Sequence, residues 1–130
     1  MMLLDASSIF NAVEQGAMSF VVAQATSPLA EYEIGNVLWK RASLGRVISI
    51  QESLEAMALF HDVLQAMKKV KADAKAVLGV ACAAEVSFYD ASYLQAAVVM
   101  GIPLVTEDKK LLHKAEKFVR TLSLKQAIAS

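Results

Sequence analysis

Apolar residues in this chain recur with two spacings. Across residues 51–67, Leu54, Met57, Ala58, His61 and Leu64 follow the i, i+3, i+4, i+7 pattern of one helical face, the clearest such pattern in the chain. At residues 2–5 and 103–106, short apolar runs closed by Asp5 and Thr106 read as buried strands. Phe20-Val21-Val22 is β-branched and aromatic and predicts a second strand. Residues 69–71 and 118–122 predict two more. Helices are expected in the intervals. One follows Ser7 or Ser8 as N-cap and stops at Gly16. Another starts with Ser27 as N-cap and Pro28 at the first helical position, and runs to about Ser43. Residues 74–84 are alanine-rich and apolar nearly all round, which predicts a buried helix with Cys82 as a small core residue. Further helices are expected over 87–100, closed by Gly101, and over 109–116 and 123–129. Strands alternating with helices imply an α/β fold, a parallel sheet with helices on both faces and right-handed crossovers.

Composition narrows the class. A chain of 130 residues is expected to be one domain, burying about 68% of its unfolded surface. Its hydrophobic fraction of 56% exceeds the usual ~45–50% and predicts a well-covered core. The uncharged runs at 15–30 and 91–106 are broken by Gly, Pro, Ser and Gln, and fall short of the roughly 20 apolar residues of a membrane span. Residues 1–4 carry no base and Asp5 follows, unlike a signal peptide. The lone Cys82 excludes an internal disulfide framework and fits a reducing, cytoplasmic setting.

Thirteen acids balance thirteen bases, so the chain is not simply a basic phosphate binder. The distribution is uneven. Residues 1–39 hold Asp5, Glu14, Glu31 and Glu33 and no Lys or Arg, whereas bases gather at 40–46, 68–75 and 109–125. An acidic focus rimmed by bases fits a metal site that accepts a polyanion, although ordinary solvated helix faces give the same counts.

Four acids stand at element boundaries or inside an apolar helix: Asp5, Glu33, Asp90 and Asp108. Three have a structural alternative. Asp5 can accept N–H groups of the helix that follows it. Asp90 is three residues after Ser87, as in a capping box. Asp108 lies in a first turn, where the helix dipole favours anions. Glu33 has Asn36 one turn further on, but periodicity alone does not separate it from Glu31. The joint argument is stronger. Strand ends at one carboxyl edge would bring these acids together, and like charges so placed must bind cations or stay partly protonated. Oxygen ligands in an incomplete cage suit Mg²⁺ or Mn²⁺ shared with a phosphate. His61 is expected to be a packed or interface histidine and His113 a solvated one.

The order Leu4-Asp5-Ala6-Ser7, Glu33-x-x-Asn36-Val37-Leu38, Tyr89-Asp90-Ala91-x-Tyr93 and Pro103-Leu104-Val105-Thr106-x-Asp108 resembles PIN-domain nucleases, most closely the VapC-like toxins of type II toxin–antitoxin pairs. Single motifs of this kind are weak, but four in order across the whole chain are specific. The resemblance implies one PIN-like domain over 1–130, a three-layer α/β/α sandwich with a central parallel sheet. It implies Mg²⁺- or Mn²⁺-dependent endoribonuclease activity with Asp5, Glu33, Asp90 and Asp108 as metal ligands, and selects Glu33 over Glu31 through Asn36. Ser7 and Thr106 match positions that help arrange the site, and Glu107 is left as a supporting acid. It further implies an RNA substrate, a homodimer and a small antitoxin protein as partner.

Lys40, Arg41 and the lysines of 109–117 are candidates for RNA phosphates. The competing reading is a PIN-like binding or assembly module using the 51–67 stripe and the methionines. A phosphotransfer receiver is disfavoured, because Ser7 stands where a second acid is needed.

Overall fold

Leu3 and Leu4 are completely buried, and this fixes the centre of the molecule. The computed structural model describes residues 1–130. Leu3–Leu4 form β1, the middle of a five-stranded sheet in the order β3-β2-β1-β4-β5. Every pairing is parallel. The other strands are β2 (Ala25–Thr26), β3 (Lys68–Lys69), β4 (Leu104–Val105) and β5 (Thr121–Leu122). Strands buried on both faces carry no polar alternation, and Leu3, Leu4, Leu104 and Val105 fit that rule. β3 is an outer strand, and its two exposed lysines blunt it against pairing with another chain.

Helices cover both faces, the three-layer α/β/α arrangement expected. On one side α1 (Ala6–Glu14), α2 (Met18–Val22), α3 (Leu29–Trp39) and α4 (Ile50–Ala66) pack on one another. On the other, α5 (Ala74–Ala84) packs on α6 (Phe88–Met100), which lies over β1 and β4. α7 (Lys109–Ala115) follows β4, and α8 (Leu124–Ala129) follows β5. A π-helical turn, Lys40–Leu44, extends α3. No helix is long and apolar enough to cross a membrane.

Three local expectations are corrected. Phe20-Val21-Val22 belongs to α2, not to a strand; a short apolar run is ambiguous between the two, and tertiary context decides. Here β2 goes to Ala25–Thr26, where Thr26 Oγ1 donates to the Leu4 carbonyl at 2.7 Å and ties the strand to β1. α4 has the expected extent and a Ser49–Glu52 capping box, but its buried face is Phe60, Val63 and Leu64, leaving Leu54, Ala58 and His61 exposed. The rotation follows from aromatic packing: Phe60 stacks on Phe10 of α1, ring centroids 5.0 Å apart. α5 buries only Val77, Ala81 and Ala84, and Cys82 is exposed. A single face against α6 suffices for so small a helix surface.

Gly101 ends α6 in the left-handed conformation, φ 65°, which costs a side-chain-bearing residue about 1 kcal/mol. Gly79 sits inside α5 with open space around it, where alanine is preferred by about 0.8–1.0 kcal/mol. The same substitution is therefore expected to act in opposite directions, Gly101→Ala lowering and Gly79→Ala raising the denaturant midpoint. Equal signs in urea unfolding would contradict this backbone assignment.

Candidate active site

In the sheet order, the chain leaves β1 towards β2 but returns on its other side as β4. Such a switch of direction opens a crevice at the carboxyl ends of the two strands. Asp5 follows β1 and Thr106 follows β4, so both stand at that crevice. A cavity of about 670 Å³ occupies it, with Asp5, Glu33, Asp90 and Asp108 all in its wall beside Ser7, Asn36 and Lys40. The structure brings the four sequence-predicted acids together from four different segments.

Asp5 is 6% exposed and holds its surroundings together. Its Oδ1 accepts the Ser7 hydroxyl at 2.7 Å and the Ser8 N–H at 2.9 Å, and its Oδ2 accepts the Thr106 hydroxyl at 2.5 Å. Asp5 itself is thus the N-cap of α1, correcting the expectation of Ser7 or Ser8. Ser7 and Thr106 instead orient the carboxylate. Burial pushes the Asp5 carboxyl above its ordinary value of 3.8, outweighing the hydrogen bonds from Thr106, Ser8 and Ser7 that pull it down.

The other acids are held differently. Glu33 Oε1 accepts the Tyr93 hydroxyl at 2.6 Å, a bond between α3 and α6 across the end of the sheet. Burial foremost, then Glu33, drives the Tyr93 phenol far upward, so it remains a donor. Asp108 caps α7, its Oδ1 accepting the Lys110 and Leu111 N–H groups at 2.8 and 3.2 Å. Asp90 has its own N–H capped by Ser87 at 3.0 Å, but its carboxylate does not complete a capping box. That carboxylate's pKa is raised by burial first and then by Asp108, Asp5 and Glu33, against which the neighbouring Ser87 hydroxyl is a smaller, opposing influence. Ion pairs in the structure join Arg41 to Glu14, His61 to Glu31 and His113 to Glu116; none reaches these four acids.

Glu31 and Glu33 are now separated: Glu31 Oε1 lies 2.5 Å from His61 Nδ1 on the surface, away from the cavity. His61 is paired but exposed rather than packed. Glu107 faces elsewhere, its Oε1 accepting the Leu124 N–H at 2.7 Å and so supporting the start of α8. Arg41 is engaged with Glu14 at 3.0 Å and stacked 4.5 Å over the Phe10 ring. Lys40, by contrast, lines the cavity. Tyr93 is the residue whose role the sequence did not single out; its spacing of three from Asp90 on one helix face was the available signal.

The donors fit a hard divalent cation in kind, being carboxylate oxygens. They do not stand as a finished cage, since no three His, Cys, Asp or Glu side chains are gathered closely enough to hold an ion. Capacity remains on each acid. A carboxylate offers about four acceptor positions. Asp5 uses three, leaving one on Oδ2, while Asp90 keeps all of its own and Asp108 keeps Oδ2.

Fold and cavity together define a class: parallel α/β proteins with an acidic crevice at the switch point. No protein-family model matches the chain. Over 89 residues it is 40% identical to Exonuclease VapC9 of Pyrobaculum aerophilum, a match spanning 68% of this chain and 64% of that protein, just under two thirds of its length. The crystal structure of PAE2754 from Pyrobaculum aerophilum is similar throughout, with a TM-score of 0.81 and 32% identity, covering 99% of this chain and 97% of that one. The chain belongs to the PIN-domain family as a VapC-like member.

Asp90 generates a stability prediction. With its pKa raised above 3.8, the folded protein binds more protons than the unfolded one at moderately acid pH, so metal-free stability falls as pH rises through the raised pKa. Asp90→Asn is expected to match wild type below about pH 3.8 and to melt about 1–3 °C higher at pH 7 in EDTA. A variant less stable than wild type at pH 7 would contradict like-charge strain at this site.

Proposed function

We propose that this protein is a divalent-metal-dependent endoribonuclease, the toxin of a toxin–antitoxin pair. The observation that carries the reading is the convergence of four unpaired carboxylates from four segments in one crevice. The similarity to a protein named Exonuclease VapC9 supports nuclease chemistry.

In this reading Asp5, Glu33, Asp90 and Asp108 hold Mg²⁺ or Mn²⁺. When bound, the ion supplies neutralisation of the phosphate and acidification of the attacking water. The chain's own residues do the positioning. Thr106 and Ser7 fix the two oxygens of Asp5, and Tyr93 fixes Glu33. Asp90, the least tied of the four, would complete the donor set for the ion. Lys40 in the wall, with Lys109 and Lys110 exposed beside Asp108, would meet the flanking phosphates. The proposal extends to a homodimer located in the cytoplasm and to a small antitoxin protein that blocks the crevice.

Asp5→Asn and Asp90→Asn are each expected to lower Mn²⁺-dependent RNA cleavage by at least ~10²-fold with the circular-dichroism spectrum unchanged. Undiminished cleavage in both would remove these acids from the mechanism. A circular RNA, which has no ends, is expected to be cut; sparing it while degrading the linear form would make the enzyme an exonuclease. Thr106→Val is expected to weaken Mn²⁺ affinity or activity by about 10–100-fold, as loss of an outer-shell partner does, with the KM for RNA unchanged. A change confined to KM would place Thr106 in RNA binding instead.

A further inference from the structure

A second cavity of about 410 Å³ adjoins the acidic one, a size within the roughly 300–1,000 Å³ of small-molecule sites. The two are neighbours that share a wall, since Leu29, Tyr32 and Tyr89 line both. Tyr32 immediately precedes Glu33 on α3, and Tyr89 immediately precedes Asp90 on α6. Each of these helices therefore carries an acid to one cavity and an aromatic ring to the shared rim. Tyr32 is 79% exposed, Tyr89 60% and Phe88 44%. Val77 of α5 contributes apolar wall, and Lys71, in the loop before α5, stands at the border.

We propose that this second cavity is a nucleobase subsite, taking an unpaired base next to the phosphodiester held at the acids. The proposal rests on the nuclease reading and adds to it the residues that would hold a base, Tyr32, Phe88 and Tyr89. Flat aromatic faces stack bases with little regard to sequence, and three of them are gathered here with their rings available to solvent. Charge is placed to match. Lys71 borders this cavity and Lys40 the acidic one, so a strand crossing both finds a cation at each end for its phosphates. A base held in a duplex cannot enter, because its faces are already stacked. An apolar side chain of a protein partner would use the walls but neither the neighbouring acids nor the two lysines.

The test uses single-stranded RNA carrying 2-aminopurine at successive positions, with wild type, Tyr89→Leu and Tyr32→Leu proteins, all exposed-site substitutions checked by thermal melting. At one position adjoining the cut site, 2-aminopurine fluorescence is expected to be quenched by wild type and the quenching lost in Tyr89→Leu. Replacing that nucleotide by an abasic one is expected to lower kcat/KM about tenfold or more in wild type and to have little further effect in Tyr89→Leu. Quenching without cleavage would uphold the subsite and overturn the nuclease reading. Cleavage with neither quenching nor any response to the abasic nucleotide would overturn the subsite and leave the cavity to a protein side chain.

Discussion

The molecule depends on how one buried carboxylate is satisfied. Asp5 sits at the end of the central strand, and removing such a charge from water costs several kcal/mol unless donors surround it. The donors come from separate places: the first turn of α1 supplies Ser7 and Ser8, and the end of β4 supplies Thr106. The network continues outward. Ser7 Oγ accepts the Glu107 N–H at 3.2 Å, Thr106 Oγ1 accepts the Asp108 N–H at 3.1 Å, and the Glu107 carboxylate accepts the Leu124 N–H. One charge therefore organises the carboxyl ends of β1 and β4 and the starts of α1, α7 and α8. The sheet order places that knot at the switch point, so the group that locks the edge also faces the crevice.

The sequence was informative where physics is local. The N-cap Ser87, the stop at Gly101 and the extent of α5 are all set by residues within a few positions of one another. The parallel sheet was legible from alternation, and Asp5, Asp90 and Asp108 from their boundary positions, whereas Glu33, inside α3, was told from Glu31 only by the family resemblance. What failed needed partners distant in sequence. Nothing within residues 18–22 says that α2 is a helix, because the β1–β2 connection decides it. The buried face of α4 was set by Phe60 meeting Phe10, fifty residues away in the chain. The bond from Tyr93 to Glu33 joins opposite layers, and no spacing rule reaches across a sheet.

Structural and functional accounts of the acids are compatible because a carboxylate has more acceptor positions than a cap uses. Asp108 caps α7 with one oxygen and turns the other outward; Asp5 caps α1 and retains one position on Oδ2. A lysine paired with each acid would have relieved the repulsion, but no ion pair reaches them. The acids are instead held by neutral donors, namely two hydroxyls, a phenol and helix N–H groups. Neutral donors orient a carboxylate without cancelling its charge.

The cost of that arrangement falls unevenly, and the unevenness is informative. Asp5, Glu33 and Asp108 each have a close donor that fixes at least one oxygen, whereas Asp90 has only the Ser87 hydroxyl as a minor influence and is exposed to the field of all three. Three acids are thus held in place by their donors, and the fourth stands on a helix whose first turn is anchored by Ser87. The repulsion at Asp90 is tolerable because α6 is secured independently, by Tyr93, Leu94, Ala96 and Ala97 buried against the sheet. The helix that carries the least restrained acid is thus itself firmly held by the core.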